Sequence, residues 1–124
     1  DDQFYFGQHN SGGSIFFTVG NGDYSYWSSA VADTDNWYQY TAVYDSSESS
    51  EGDKMELYRN GVKLGNKSTS GTMDGFKCSS NIKIGQGSVS NLNGSMSMAG
   101  MYSRRLSEAE VLQNYHAHKD FHGV

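Results

Sequence analysis

The sequence contains no proline and a single cysteine, Cys78, among its 124 residues. A lone cysteine cannot form a disulfide within the chain, so the fold depends on its hydrophobic core. We expect Cys78 to be a semi-buried free thiol, because no CxxC motif or cationic cluster accompanies it. The length is sufficient for one core, and we predict a single domain over residues 1–124.

Basic residues and long apolar runs are also scarce. Nine Lys and Arg stand against fourteen Asp and Glu, for a formal net charge of −5. A nucleic-acid-binding protein requires a basic face, and the densest basic spot here is only Arg104-Arg105, so we expect no nucleic-acid partner. No apolar run approaches the ~20 residues that cross a bilayer, so we expect no membrane span.

Glycine and tyrosine are abundant, with 15 Gly and nine Tyr. Short aromatic and β-branched runs alternate with clusters of Gly, Asn, Asp and Ser, a pattern typical of many short strands. We therefore predict an all-β fold, an antiparallel β-sandwich jelly roll with one short C-terminal helix. The predicted strands are Gln3–Gln8, Ser14–Val19, Tyr24–Ala30, Trp37–Tyr44, Lys54–Arg59, Val62–Asn66, Asn81–Gly85 and Gly94–Ser103.

The strongest local signal is a two-residue hairpin. Asn60-Gly61 supplies the two positive-φ positions of a type I′ turn between alternating runs. In the first arm, Met55 and Leu57 share one face, which we predict to be the inward face, and Glu56 and Tyr58 share the other.

The helix is predicted from a capping box. Ser107 can accept a hydrogen bond from the amide of Glu110, whose carboxylate can reach back to the amide of Ser107. Leu106 can pack against Val111 as a hydrophobic staple. The helix should end around Ala117 to His118, and its apolar stripe consists of Val111, Leu112 and Tyr115.

Four blocks, in order, are similar to the pattern of a known family. Residues 36–45 and 55–64 resemble "W-H-x-V-A-x-x-Y-D … L-Y-x-D/N-G", with Tyr38 in place of the common histidine. Residues 82–87 resemble "I-x-I-G", and residues 93–111 resemble "F-x-G-x-I-x-x-V-x-I-Y-N-R-A-L-S-x-x-E-I". The chain thus resembles the laminin G-like branch of the concanavalin A-like lectin/glucanase superfamily.

This resemblance implies strands upstream of Gln3–Gln8, one of which pairs with the last strand. We expect them to precede this sequence or to be supplied by another chain, since Gly94–Ser103 would otherwise be an open edge. Residues 110–124 are similar to the endings of such modules in phage and other virus-associated proteins. The resemblance implies an extracellular or virion-surface location, with a glycan or neighbouring protein subunits as partner, and a homo-oligomer or a larger assembly as options.

Candidate carbohydrate-binding residues lie in two neighbouring segments. Sugar sites combine aromatic faces, which stack on C–H surfaces, with Asp and Asn side chains that bind hydroxyls. We place Trp27 and Trp37 in the core. The predicted ligand-binding residues are Tyr24, Tyr26, Asp33, Asp35 and Asn36.

The same region offers acidic groups for a cation. Calcium requires six or more oxygen ligands, which loop carboxylates and carbonyls can supply. The resemblance implies a calcium ion at the rim of the sandwich, and the candidate ligands are Asp23, Asp33 and Asp35. Ordinary solvent-facing loop acids are the alternative, because no D-x-D-x-D-G loop is present.

One motif raises the question of catalysis. Glu51, Asp53 and Glu56 match the E-x-D-x-x-E spacing of retaining glucanases of this fold, in which alternate strand residues project into a cleft. Gly52 and the Ser-rich residues 45–53 favour a solvated loop, so we predict no enzyme and no catalytic residue.

Two functions remain: a glycan-binding adhesion module, or a structural virion or surface-assembly protein. A glycoside hydrolase is a distant third.

Overall fold

Two antiparallel three-stranded sheets form the body of the computed structural model, which describes residues 3–8, 14–20, 24–31, 35–64, 83–85 and 92–122. The first sheet has the order β1 (Gln3–Gln8), β2 (Ser14–Gly20) and β3 (Tyr24–Val31). The second has the order β4 (Tyr40–Tyr44), β5 (Met55–Arg59) and β6 (Val62–Lys63). A 3-10 helix at Glu51–Asp53 precedes β5, and α1 spans Glu108–His122. The predicted antiparallel sheets and C-terminal helix are confirmed.

A hydrophobic core joins the two sheets. Ile15 and Phe17 of β2 pack in one buried cluster with Met55 and Leu57 of β5. The ring of Phe6 meets that of Phe17 edge to face, with centroids 6.4 Å apart. Burial of each such large apolar side chain contributes about 2 to 3 kcal/mol. The predicted inward orientation of Met55 and Leu57 is confirmed.

The opposite face of the second sheet is also buried. Val43 and Tyr58 lie in a second cluster with Leu106 and Val111, which belong to the helical end of the chain. Because successive strand residues point to opposite faces, Tyr58 faces this cluster while Leu57 faces the first sheet. The second sheet is therefore the middle layer between the first sheet and α1.

The turn between β5 and β6 has the predicted geometry. Asn60 and Gly61 have φ values of 51° and 78°, and Arg59 pairs with Val62, as a type I′ hairpin requires. Gly61 also lies directly beneath α1. A Cβ built on Gly61 would be 2.8 Å from Cδ1 of Leu112 and 3.2 Å from Cβ of Tyr115.

The N-terminus of α1 carries the predicted capping box. The amide of Ser107 donates to Oε2 of Glu110 at 2.8 Å, and the amide of Glu110 donates to Oγ of Ser107 at 3.2 Å. Arg104 adds two hydrogen bonds to the same carboxylate, at 3.0 and 2.7 Å. The hydrogen bonds from Arg104, followed by those from Ser107, lower the pKa of Glu110 to about 2.

Several predicted boundaries were wrong. α1 continues to His122, one turn beyond the expected end, since Gly123 is the first helix-breaking residue in the tail. β4 begins at Tyr40 rather than Trp37, and β6 ends at Lys63. The described residues of the segments expected to form strands at 81–85 and 94–103 are not in strands. Their alternating pattern is strand-like, but no strand among the described residues pairs with them.

Replacement of Gly61 tests the contact between turn and helix. We expect Gly61→Ala to lower the free energy of unfolding by about 2 kcal/mol or more, because alanine is strained at a positive φ and its Cβ would displace Leu112. Chemical denaturation measures this change. Gly100→Ala is the matched control, with no described atom within 4 Å of the new Cβ, and its effect should stay within about 0.5 kcal/mol. Equal effects of the two variants would contradict the packing of α1 on the turn.

The low pKa of Glu110 predicts a pH-dependent stability. Since the folded pKa of about 2 lies below the ordinary 4.5, the carboxylate stabilises the fold fully above pH 4.5 and loses this effect as the pH falls towards 2. We expect Glu110→Gln to lower the melting temperature at neutral pH, with a deficit that shrinks through this window. Glu108→Gln, which leaves the pair with Arg104 intact, is the control. A deficit that is equal at neutral pH and near pH 2 would refute this assignment.

Candidate functional site

An exposed segment precedes β4, and we call its residues Asp35, Asn36, Trp37 and Tyr38 the tryptophan rim. The side chain of Trp37 is 45% exposed, and Asp35 and Asn36 are also exposed. The prediction that Trp37 lies in the core was therefore wrong. The strand alternation that would direct it inward begins only at Tyr40, three residues later.

The hairpin turn fixes this segment in place. The amide of Gln39 donates to Oδ1 of Asn60 at 2.9 Å, and the amide of Asn60 donates to the carbonyl of Gln39 at 2.8 Å. The ring of Tyr38 lies 6.0 Å from that of Tyr40, and the guanidinium of Arg59 sits 5.3 Å from the Tyr38 ring centroid. Such a cation–π contact contributes about 0.5 to 1 kcal/mol at an exposed position. The rim is thus attached to β4 and to the turn between β5 and β6.

The chemistry of the tryptophan rim suits a polyhydroxylated ligand. An exposed indole offers a flat apolar face, and the neighbouring carboxylate and amide offer acceptors and donors for hydroxyl groups. The ligand-binding residues predicted from the sequence include Asp35 and Asn36 of this segment but not Trp37. The turn-forming Asp35-Asn36 pair immediately before Trp37 is the signal that could have placed the indole outside the strand.

The other predicted ligand-binding residues are Tyr24, Tyr26 and Asp33. Tyr24 and Tyr26 lie on β3, where Tyr24 pairs with Val19 and Tyr26 with Phe17 of β2. The structure describes only their backbone. Asp33 lies outside the described residues. Of the five predicted positions, the structure therefore places the side chains of Asp35 and Asn36 together at the start of the rim.

The predicted calcium ligands can be tested only at one position. Asp23 and Asp33 lie outside the described residues, whereas Asp35 is exposed. Within the described part of the chain, no group of three or more His, Cys, Asp or Glu side chains could hold a metal ion. Asp35 alone cannot supply the six or more oxygens that a calcium ion requires.

The glucanase-like triplet does not lie along one strand. Glu51–Asp53 forms a 3-10 helix, and β5 starts only at Met55. The alternation that would project three carboxylates into a cleft is therefore interrupted.

Glu56 is itself held by structural partners. It is 8% exposed, accepts a hydrogen bond from the Tyr58 hydroxyl at 2.7 Å, and forms ion pairs with Lys63 and, at 3.3 Å, with Arg105. Burial acts to raise its pKa, but the hydrogen bonds from Lys63 and Tyr58 outweigh burial and leave the pKa below its usual value. A general acid requires a raised pKa, so this environment suits a structural carboxylate.

Arg105 extends the same charge network to the loop after β4. Its guanidinium binds Glu48 and lies 3.4 Å from Oδ2 of Asp45. Asp45 also accepts hydrogen bonds from the hydroxyl and the amide of Ser47, which lower its pKa. The loop is therefore tied to the segment that leads into α1.

One comparison with known proteins matches the chain. The laminin G family model described as the concanavalin A-like lectin/glucanases superfamily covers residues 1–112, which include both described sheets and the start of α1. None of the curated proteins and none of the solved structures matches the chain. The match confirms the resemblance seen in the sequence blocks and agrees with two antiparallel sheets that share a core. The chain belongs to the concanavalin A-like lectin/glucanase superfamily, as a laminin G-like domain.

Proposed function

We propose that this domain is a non-catalytic recognition module of the jelly-roll type that binds carbohydrate through the tryptophan rim. Domains of this family generally act in binding or adhesion rather than catalysis, and they commonly occur in extracellular proteins. The observation that carries the proposal is the 45% exposure of Trp37 between the exposed Asp35-Asn36 pair and the packed Tyr38. We extend the site to Tyr24, Tyr26 and Asp33, which the sequence places beside the rim.

The contacts made by Tyr38 and by Gln39, the residue that follows the rim, support this proposal. Both hydrogen bonds between Gln39 and Asn60 hold the end of the segment, and Arg59 and Tyr40 contact the Tyr38 ring. A site that is ordered before binding loses less conformational entropy when a ligand arrives. The exposed indole of Trp37 can stack on the apolar face of a sugar ring while Asp35 and Asn36 bind its hydroxyls.

We further propose a secreted or virion-surface setting for this module. This setting is supported by the common occurrence of laminin G-like domains in extracellular proteins, and the net charge of −5 does not favour a nucleic-acid partner. Within the described residues, no helix combines the length and the apolar character that a bilayer crossing requires. A calcium ion bound by Asp23, Asp33 and Asp35 is part of the proposal, as an ion that would order the loops next to the rim.

Loss of the indole tests the carbohydrate site. On a glycan array, the domain should bind at least one class of neutral glycan, and Trp37→Ala should bind it about tenfold more weakly, which corresponds to ~1.4 kcal/mol of stacking. Binding is then measured with calcium and with a chelator. Loss of binding in chelator supports the calcium ion, whereas identical curves contradict it. A native domain that binds no glycan on the array overturns the proposal.

A second candidate function rests on a different surface, residues 92–102, which we call the methionine surface. Its exposed large apolar side chains are Leu92, Met96, Met98, Met101 and Tyr102, each between 48% and 66% exposed. Exposed apolar surface of this kind is typical of contacts between proteins. It supports the alternative that the domain is a structural subunit of a surface assembly or virion.

The oligomeric state in solution tests this alternative. A subunit of an assembly should self-associate with rising concentration, and the double substitution Met98→Ser and Met101→Ser should shift the particle mass from light scattering towards the monomer. The same double variant should keep its glycan binding, and Trp37→Ala should keep its particle mass. A native domain that stays monomeric at every concentration contradicts self-assembly through the methionine surface.

A further inference from the structure

Asn-Gly pairs occur three times in the sequence, at 21–22, 60–61 and 93–94. The first lies outside the described residues, whereas the other two lie in contrasting environments. An asparagine followed by glycine can react with its own backbone, because the next amide nitrogen can reach the side-chain carbonyl carbon and glycine has no Cβ in the way. The surroundings of each pair decide whether this approach takes place.

Hydrogen bonds to Gln39 and packing under α1 restrain the pair at Asn60-Gly61. The side-chain oxygen of Asn60 accepts a hydrogen bond from the backbone amide of Gln39 at 2.9 Å. The backbone amide of Asn60 donates a hydrogen bond to the carbonyl of Gln39 at 2.8 Å. Gly61 is buried under Leu112 of α1. A Cβ on Gly61 would be only 2.8 Å from Cδ1 of Leu112, so there is no room for a side chain. Reaction at Asn60 would require the turn to open and the helix to move.

The pair at Asn93-Gly94 is in the opposite situation. Both residues are exposed and lie outside helices and strands. A Cβ built on Gly94 would meet no described atom within 4 Å, so no described part of the fold packs against this side of Gly94. The adjacent Leu92 is tied to the rest of the chain, through its amide and the carbonyl of Gly85 at 2.8 Å.

We propose that Asn93 is a site of spontaneous deamidation in the folded domain, with water as the co-reactant. The amide nitrogen of Gly94 forms a bond to Cγ of Asn93, the bond from Cγ to Nδ2 breaks, and ammonia leaves with the proton that the Gly94 nitrogen gives up. Water then opens the five-membered imide at either carbonyl and leaves aspartate or isoaspartate. Each product carries one new carboxylate.

The modification changes the charge and the backbone of the methionine surface. It adds one negative charge to a chain whose formal net charge is already −5. Isoaspartate also inserts an extra carbon into the backbone three residues before Met96. The two contrasting Asn-Gly pairs thus make one position a modification site and leave the other unreactive.

Peptide mapping of aged protein tests this proposal. The folded domain is incubated in mildly alkaline buffer, which favours the deprotonated nitrogen, and then digested with trypsin. The peptide from Ile84 to Arg104 should gain the mass difference between OH and NH₂, and fragment spectra should locate the gain at Asn93. The peptide from Asn60 to Lys63 should stay unchanged over the same time.

Two controls make the test decisive. Gly94→Ala should slow the reaction about tenfold, equivalent to ~1.4 kcal/mol of barrier, and should leave the fold intact because the space beside Gly94 is open. In denaturant, Asn60 and Asn93 should react at similar rates, because the fold no longer protects Asn60. Equal rates at both positions in the native domain, or faster reaction at Asn60, would overturn the proposal.

Discussion

Burial of β5 on both faces is the constraint on which the rest of the structure depends. Leu57 is packed against the first sheet, and Tyr58, the next residue, is packed against the cluster that includes Val111 of α1. A strand of an antiparallel sandwich commonly has one face exposed to solvent. A strand that is buried on both faces therefore requires two separate layers to cover it. The helix is therefore a necessary layer of this fold, because without it Tyr58 would lose its contact with Val111 and become exposed.

The same burial explains how charge is used. Placing Glu56 on the helix-facing side of β5 takes a carboxylate out of water, which is costly unless partners compensate. Lys63, Tyr58 and Arg105 provide that compensation, so the charge network serves the packing of the layers. The tryptophan rim, which we propose as the recognition site, lies outside this network.

The features predicted correctly from the sequence are those whose partners are close along the chain. The turn at Asn60-Gly61 and the cap between Ser107 and Glu110 each involve residues within three positions, so local rules suffice. Features that depend on distant partners were missed. The exposure of Trp37 depends on where β4 begins, and two of the partners of Arg105, Glu48 and Asp45, lie 57 and 60 residues away. The expected strand at 94–103 required a neighbouring strand, which no local pattern can guarantee.

The close packing of Leu112 against Gly61 has a practical consequence for protein engineering. Two-residue hairpins are common places to graft foreign peptides, since their ends are near each other and usually face solvent. In this domain a graft between Asn60 and Gly61 would lift the covering helix and release the backbone that supports Trp37. An epitope or affinity tag displayed on this scaffold therefore belongs on another loop, and the exposed Ser49-Ser50 pair, which follows the Glu48 contact with Arg105, is better suited to carry it.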